Sequence, residues 1–187
     1  MNKIVVILLL AFLSTSAYSQ HVGIKTNLLY DATTTLNLGL EAALSKKVTL
    51  DVSGNYNPWK FGDKHWKHWM VQPELRYWFC ESFNGHFMGI EGHYAEYNVQ
   101  NVKLPFGLYK GLRDHRYQGK LYGGGITYGY QWILGNHWGL EASVGVGYAR
   151  INYDRYECGK CGDKLDSGHK NYFGPTKIAL SIIYLIK

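Results

Sequence analysis

The chain has 187 residues with a formal net charge of +6, a length that fits a single domain. Apart from a short N-terminal run, no apolar stretch is long enough to cross a bilayer as a helix, which excludes an α-helical membrane protein. The 16 Tyr, 6 Trp and 22 Gly against only 4 Pro fit a β-protein. Composition alone leaves open whether this is a transmembrane barrel, a soluble β-sandwich or a soluble lipocalin-like barrel.

The N-terminus has the three parts of a secretory signal peptide. Lys3 provides positive charge, residues 4–13 form an unbroken apolar run, and a small polar segment ends with Ala-Tyr-Ser at 17–19. The apolar run is too short to span a bilayer as a helix. We therefore expect residues 1–19 to be removed on export and residues 20–187 to form the mature domain.

Beyond this segment, apolar and polar residues alternate with a period of two, and no stretch shows helical spacing. The alternation predicts eight β-strands, at about 22–31, 36–45, 47–57, 69–80, 85–98, 119–133, 137–153 and 171–186. It is clearest in the seventh strand, where Trp138, Leu140 and Val144 share one face. Gly139, Glu141 and Ser143 share the other.

The connections between the predicted strands alternate in length. One end has tight turns at 45–47, 81–85 and 135–137, and the other has longer loops at 58–68, 99–118 and 154–170 besides a short turn at 32–35. Short periplasmic turns alternating with long outer loops are typical of outer-membrane barrels, whereas a lipocalin shows no such alternation. The sequence thus predicts an all-β, eight-stranded, antiparallel up-and-down transmembrane β-barrel in the outer membrane of a Gram-negative bacterium.

The polar face of the strands is rich in glycine, which suits the crowded interior of a small barrel. We expect this face to line the lumen, where it gathers eight charged residues: Lys25, Glu41, Asp51, Glu74, Arg76, Glu91, Glu141 and Lys177. Charges removed from bulk water have to be paired, so a salt-bridge network is expected, with Arg76 bonded to one or more of the glutamates. The alternative, a catalytic carboxylate pair or an ion path, needs a cleft for which the sequence gives no sign.

Three cysteines offer candidate chemistry. On an exported chain, Cys158 and Cys161 are predicted to form a local disulfide. The alternatives are a Cys-x-x-Cys redox site or a metal site with His169 as a third ligand. Cys80, near a tight turn, is expected to be a free and partly buried thiol. We expect no bound metal and no cofactor.

The loops at 58–68 and 99–118 are basic and aromatic. They carry seven cations against Asp63 and Asp114, namely Lys60, Lys64, Lys67, Lys103, Lys110, Arg113 and Arg116. Histidine and tryptophan residues also occur in the first loop, at Trp59, His65, Trp66 and His68, and Trp69 follows it directly. An aromatic belt beside lipid phosphates explains this stretch more simply than nucleic-acid binding does. The positive rim favours lipopolysaccharide or an exported protein as partner, with Phe106 and Tyr109 as candidate aromatic anchors of a partner-binding loop.

Several segments together carry a family resemblance. They are residues 25–32, 37–41, 57–60, 66–78, 116–119, 122–132, 153–158 and 171–177, of which the tryptophan-rich run at 66–78 is the most specific. They resemble a domain-of-unknown-function family of small Bacteroidetes outer-membrane barrels that are often encoded beside fimbrillin-type pilus proteins. The resemblance implies the barrel and the outer membrane, suggests pilus or other envelope proteins as partners, and carries no catalytic residues over.

The expected function follows from the absence of a nucleophile motif. No G-x-S-x-G element is present, so the chain is predicted not to be an enzyme. We expect a structural or interaction role at the cell surface, linked to pilus or fimbria assembly. The alternative is a lipid-modifying outer-membrane barrel enzyme, because Ser, His and Asp are scattered through the loops.

Overall fold

The computed structural model describes residues 21–61, 64–100, 115–157 and 164–186. They form eight strands of six or more residues: β1 (Val22–Asn27), β2 (Leu36–Ala43), β3 (Val48–Asn57), β4 (Lys64–Trp78), β5 (Gly85–Gln100), β6 (His115–Ile133), β7 (Trp138–Glu157) and β8 (Lys164–Ile186). A two-residue strand, Lys60–Phe61, pairs with the start of β4. One short helix, α1 (Leu28–Ala32), follows β1. Within these ranges no helix is long and apolar enough to cross a membrane.

The eight strands form one ring-like sheet. Each strand pairs antiparallel with the next along the chain. β1 also pairs with β8, from Val22 opposite Ile186 to Asn27 opposite Ser181. Every one of the eight strands therefore has a neighbour on both sides along part or all of its length, which closes the ring. The eight antiparallel up-and-down strands predicted from the sequence are confirmed.

The two ends of the ring differ in their connections. The turn end carries the tight connections 44–47, 79–84 and 134–137, together with the start of β1 and the end of β8. The loop end carries the ends of β1, β3, β5 and β7 and the starts of β2, β4, β6 and β8. At the turn end Cys80 follows β4 and its thiol is exposed, so the expectation of a partly buried thiol was wrong because the strand ends two residues earlier.

The first predicted strand is shorter than expected because the chain turns into α1 after Asn27. The Asn27 side chain accepts a hydrogen bond from the backbone N–H of Leu29 at 3.1 Å, which caps the helix. The same oxygen accepts a hydrogen bond from the N–H of Leu180 in β8 at 3.2 Å. This cap holds α1 against the ring and replaces the extended backbone predicted for residues 28–31.

The strands at the loop end run further than predicted. β7 and β8 remain paired as far as Tyr156 opposite Lys164, so much of the loop expected at 154–170 is a hairpin extension. β4 likewise begins at Lys64, and β6 begins at His115. These extensions were missed because polar residues occupy both of their faces, which removes the alternation that reveals a half-buried strand.

The two faces of the sheet have opposite character. Apolar residues cover the outside of the ring, as at Ile90 and Ile126, which are 70% and 57% exposed. Their neighbours Glu91 and Thr127 face the interior and are only 2% exposed. This distribution is the reverse of that in a water-soluble protein, whose polar groups face the solvent.

An apolar plug fills the interior at the turn end. It consists of the buried residues Trp78, Phe83, Phe87, Ile183 and Leu185. The Trp78 ring lies 4.8 Å from the Phe87 ring between centroids, and its indole N–H donates to the Thr49 hydroxyl at 2.9 Å. The interior is therefore packed where the turns are tightest, and the polar groups lie above this plug.

Candidate functional site

A buried cluster of charged side chains occupies the middle of the ring. The eight charged residues predicted for the polar face all point inward, because each occupies the inward parity of its strand. They come from β1, β2, β3, β4, β5, β7 and β8, so nearly every strand contributes. We call this set the ion cluster: Lys25, Glu41, Asp51, Glu74, Arg76, Glu91, Glu141 and Lys177.

Arg76 is the hub of the ion cluster. Its Nη1 lies 2.9 Å from the Glu41 carboxylate and 2.7 Å from that of Glu141. Its Nη2 lies 3.1 Å from Asp51 and 3.0 Å from Glu74. A planar guanidinium suits this role, because its donors point outward in one plane toward several carboxylates at once.

Two lysines complete the pairing from neighbouring strands. The Lys25 ammonium lies 2.8 Å from Glu41 and 2.9 Å from Asp51. The Lys177 ammonium lies 2.5 Å from Glu74. Each cation thus shares its carboxylates with Arg76, which makes the cluster one connected network and not a set of isolated pairs.

Glu91 belongs to the ion cluster but is bonded differently. The structure places its carboxylate beside β8, where it accepts a hydrogen bond from the Thr176 hydroxyl at 2.5 Å. Arg76 bonds to Glu41, Glu74 and Glu141 of the four expected glutamates, and to Asp51, which was not among them.

Threonine hydroxyls supply the hydrogen bonds that sequence reasoning overlooked. Thr49 donates to Glu41 at 2.5 Å, and Thr127 donates to Glu74. Both threonines lie on the inward face of their strands, so the alternation of residues along the sequence could have identified them as interior hydrogen-bond donors. Gly89 makes room for one of these contacts, because a Cβ there would collide with the Glu74 carboxylate and the Thr127 hydroxyl.

The ion cluster leaves little free space. A void of about 20 Å³ borders Lys25, Arg76 and Glu141, which is room for about one water molecule. A substrate needs a far larger cleft. The arrangement therefore acts as a polar core that ties seven strands together.

A second site lies at the loop end, where the interior widens into a cavity of about 740 Å³. Six of its lining residues form one continuous row across six neighbouring strands, each directly opposite the next. We call it the tyrosine–glycine row, in order Asn57, His68, Tyr97, Gly119, Tyr153 and Gly168. Because residues opposite one another point to the same side of a sheet, the whole row faces the cavity.

The two tyrosines of this row extend over their glycine neighbours. A Cβ added at Gly168 would lie 2.7 Å from the Tyr153 hydroxyl oxygen, and one at Gly119 would lie 2.9 Å from that of Tyr97. The Tyr97 hydroxyl also donates to the backbone carbonyl of Asn152 at 3.2 Å. Each ring therefore lies along the wall of the cavity instead of projecting across it.

His68 lines this cavity and is half-buried. His68 has the inward parity of β4 and so lies on the opposite side of the sheet from its exposed neighbour Trp69.

Four predicted site residues lie outside the described residues: Cys158 and Cys161 of the expected disulfide, and Phe106 and Tyr109 of the expected partner-binding loop. In the ranges that the structure does describe, no group of three or more His, Cys, Asp or Glu residues is arranged to hold a metal ion.

Comparison with protein families gives a match over most of the chain. Residues 4–186 match the model of a protein family whose description is a protein of unknown function. No curated protein matches the chain.

Proposed function

The chain belongs to the DUF3575 family of proteins of unknown function, and we propose that it is an outer-membrane β-barrel with an interaction role at the cell surface. In this proposal the ring is inserted in the membrane, the turn end faces the periplasm, and the loop end faces outward. The observation that carries the proposal is the inverted distribution of polar and apolar residues between the two faces of the sheet.

The outside of the ring has the layout of a lipid-facing surface. Its middle is apolar, with exposed Leu38, Leu40, Val52, Leu75, Ile90, Ile126, Val144 and Ile178. Exposed aromatic residues flank this belt, with Tyr77, Phe79, Trp132, Trp138 and Tyr184 toward the turn end and Tyr56, Trp69, Tyr122, Tyr148 and Phe173 toward the loop end. Aromatic girdles on both sides of an apolar band are typical of transmembrane barrels.

The spacing of the two girdles fits a bilayer. Trp69 and Tyr77 are both exposed and lie eight residues apart on β4, which corresponds to about 27 Å along a strand. A strand tilt of about 35–45°, usual in such barrels, reduces this to about 20 Å, close to an apolar band of about 25 Å. The closed sheet also satisfies its backbone hydrogen bonds internally, as a bilayer demands.

The filled interior supports a role other than conduction. The apolar plug and the ion cluster occupy the turn end and the middle of the ring, and an eight-stranded barrel is only just wide enough for its own side chains. What remains for contact with other molecules is the loop end, with its cavity and its basic connections. We propose lipopolysaccharide and pilus or other envelope proteins as the partners there.

Electrophoresis of the purified mature protein tests the membrane proposal. We expect it to require detergent and to migrate differently before and after boiling, because a closed sheet has no edge from which to unravel. A monomer that is soluble in buffer without detergent would contradict the proposal.

The alternative function, a lipid-modifying enzyme, would take its catalytic residues from the β7–β8 hairpin. Strand pairing sets Ser167 opposite Asp154 and His169 opposite Asn152, residue types that acyl transfer uses. We expect lipid A and phospholipid profiles to be the same in a deletion strain and its parent. A changed profile that wild-type protein restores and the Ser167→Ala variant does not would establish an enzyme instead.

A further inference from the structure

The closure of the ring leaves part of β8 with a strand on one side only. β8 spans Lys164–Ile186 and pairs with β7 along nearly its whole length. On its other side β1 covers only Ser181–Ile186. Within the ranges that the structure describes, no strand pairs with that side of residues 164–180.

Backbone groups of β8 point to this free side at alternate residues. The N–H of Leu180 bonds at 3.2 Å to Asn27 at the end of β1, so even-numbered residues face the free side near that end. A bulge at 175–177 adds one residue to β8, and the alternation changes phase there. Beyond the bulge, the odd-numbered residues of the segment 165–173 therefore direct their N–H and C=O groups to the free side.

Two local features agree with this assignment. Pro175, which has no N–H to donate, occupies one of the positions that face the free side, and proline in a sheet is confined to such positions or to bulges. The N–H of Ser167 bonds at 2.8 Å to the side chain of its neighbour Asp166 and not to another strand. The other edge residues have backbone groups without a partner among the described residues, and they are Leu165, His169, Asn171 and Phe173.

The free side lies beyond the bilayer in the proposed orientation. Phe173 belongs to the aromatic girdle at the loop end, and the nine steps from Phe173 to Lys164 correspond to about 30 Å of strand. The outer face of the neighbouring strands is polar at this level, as at Glu96 and Lys120, which are 39% and 60% exposed and lie 3.1 Å apart. The edge of β8 is therefore in water, where another chain can reach it.

This part of β8 is held as a preformed strand. Its paired side follows β7 as far as Tyr156 opposite Lys164. On the inner face the Tyr153 ring lies over Gly168, because a Cβ added there would lie 2.7 Å from the Tyr153 hydroxyl oxygen. An aromatic ring over a glycine stabilises an edge strand. A strand that is already ordered pays less conformational entropy when a second strand joins it.

We propose that this edge, residues 165–173 of β8, binds an extended segment of an exported protein as an additional strand. In this mode of recognition the main-chain hydrogen bonds provide affinity, and the side chains that alternate along the edge provide selectivity. The inference rests on the proposed function and deepens it, since the edge meets exported proteins only if the loop end faces outward.

A second copy of the chain does not fit this edge. Two barrels in one membrane are related by a rotation about the membrane normal, and their strands are tilted from that normal by about 35–45°. Two facing β8 edges then cross at about twice the tilt, whereas neighbouring strands of a sheet differ in direction by about 20–25°. The partner is therefore a chain that is free to align with β8.

Hydrogen exchange measured by NMR on the detergent-folded protein tests whether the edge is free. We expect the amides of His169 and Asn171 to exchange about tenfold faster than those of Gly168 and Tyr172, which face β7. Equal protection of the two pairs in the folded wild type would show that the edge is already covered and would overturn the inference.

The binding probe is a synthetic peptide with the sequence of residues 148–157 of β7. This sequence already lies beside β8 in the structure, with Tyr148 opposite Phe173, so its two faces match those of β8. We expect the peptide to bind the wild type and to protect the amides of His169 and Asn171. N-methylation of one alternate set of peptide residues should weaken binding about tenfold, and N-methylation of the other set should not, because only one set points at β8.

A pair of double variants tests the edge from the side of the protein. His169→Pro with Asn171→Pro removes two N–H groups of the edge and none of those that face β7, so affinity for the peptide should fall about tenfold. His169→Ala with Asn171→Ala is the matched control, because it removes the same side chains, keeps both N–H groups and should bind as the wild type does. A proline variant that binds as tightly as the wild type would contradict the inference.

The change in mobility on boiling separates this inference from the proposed function. If the wild type shows that change and does not bind the peptide, or if both N-methylated peptides bind equally well, binding at the edge is overturned and the barrel stands. If the wild type needs no detergent and shows no change on boiling, the proposed function itself fails. Where the proline variant loses the mobility change and so has not folded, the N-methylated peptides decide the question on the wild type.

Discussion

Arg76 is the one residue on which most of the ion cluster depends. Its guanidinium is fully buried and contacts four carboxylates, and its carbon lies 4.3 Å from the centre of the Phe87 ring. The cluster holds five carboxylates and three cations, so each cation offsets more than one negative charge. Loss of Arg76 would leave carboxylates close together and out of water, with only the two lysines to offset them.

We therefore predict that Arg76→Leu lowers the free energy of unfolding by about 3–5 kcal/mol, the usual penalty for stranding buried charge. The measurement is the urea midpoint of the protein folded in detergent. Arg150→Leu is the matched control, because Arg150 is exposed on the outer side of β7 and its loss should change the midpoint little. A midpoint that Arg76→Leu leaves unchanged would show that the pairs around Arg76 contribute nothing to stability.

The strands show how far local pattern predicts structure. β7 and β8 were predictable because one face is apolar and the other is not, as at Val144 and Gly145, and burial then fixes the register. The pattern also predicted that the eight charged residues share one face of the sheet. The pairing partners were not predictable, because they depend on which strands become neighbours across the ring, as when Lys177 of β8 meets Glu74 of β4.

Features that depend on contacts between distant parts of the chain could not be predicted from the alternation of residues. α1 forms because Asn27 bonds to both Leu29 and Leu180, and the second of these contacts is distant in the sequence. The tyrosine–glycine row was likewise hidden. Tyr97, Gly119 and Tyr153 are unremarkable in order along the chain and form a row only once β5, β6 and β7 are paired. Sequence alone therefore predicted the sheet and missed the cavity.

At the scale of the whole molecule, charge is unevenly distributed. The chain carries a formal net charge of +6, yet the ion cluster contains more carboxylates than cations. The positive excess therefore lies outside the cluster, and the loops at 58–68 and 99–118 hold much of it. A positive rim attracts lipopolysaccharide phosphates without much specificity and is screened by salt. Specific binding of a protein partner would also require aromatic anchor residues at the centre of the interface.

The last prediction separates these two partners at the loop end. We expect the double variant Phe106→Ala with Tyr109→Ala to fold normally, because both residues lie in the loop at 99–118 and outside the strands predicted from the sequence. We expect it to lose its crosslinks to a surface protein. The measurement is in vivo crosslinking beside the mobility change on boiling. The matched variant neutralises Lys103 and Lys110 in the same loop and keeps both aromatic residues. Should crosslinks persist in the aromatic double variant and disappear only when the lysines are neutralised, the rim acts through charge alone, and attraction to lipid explains it better than docking of a pilus subunit.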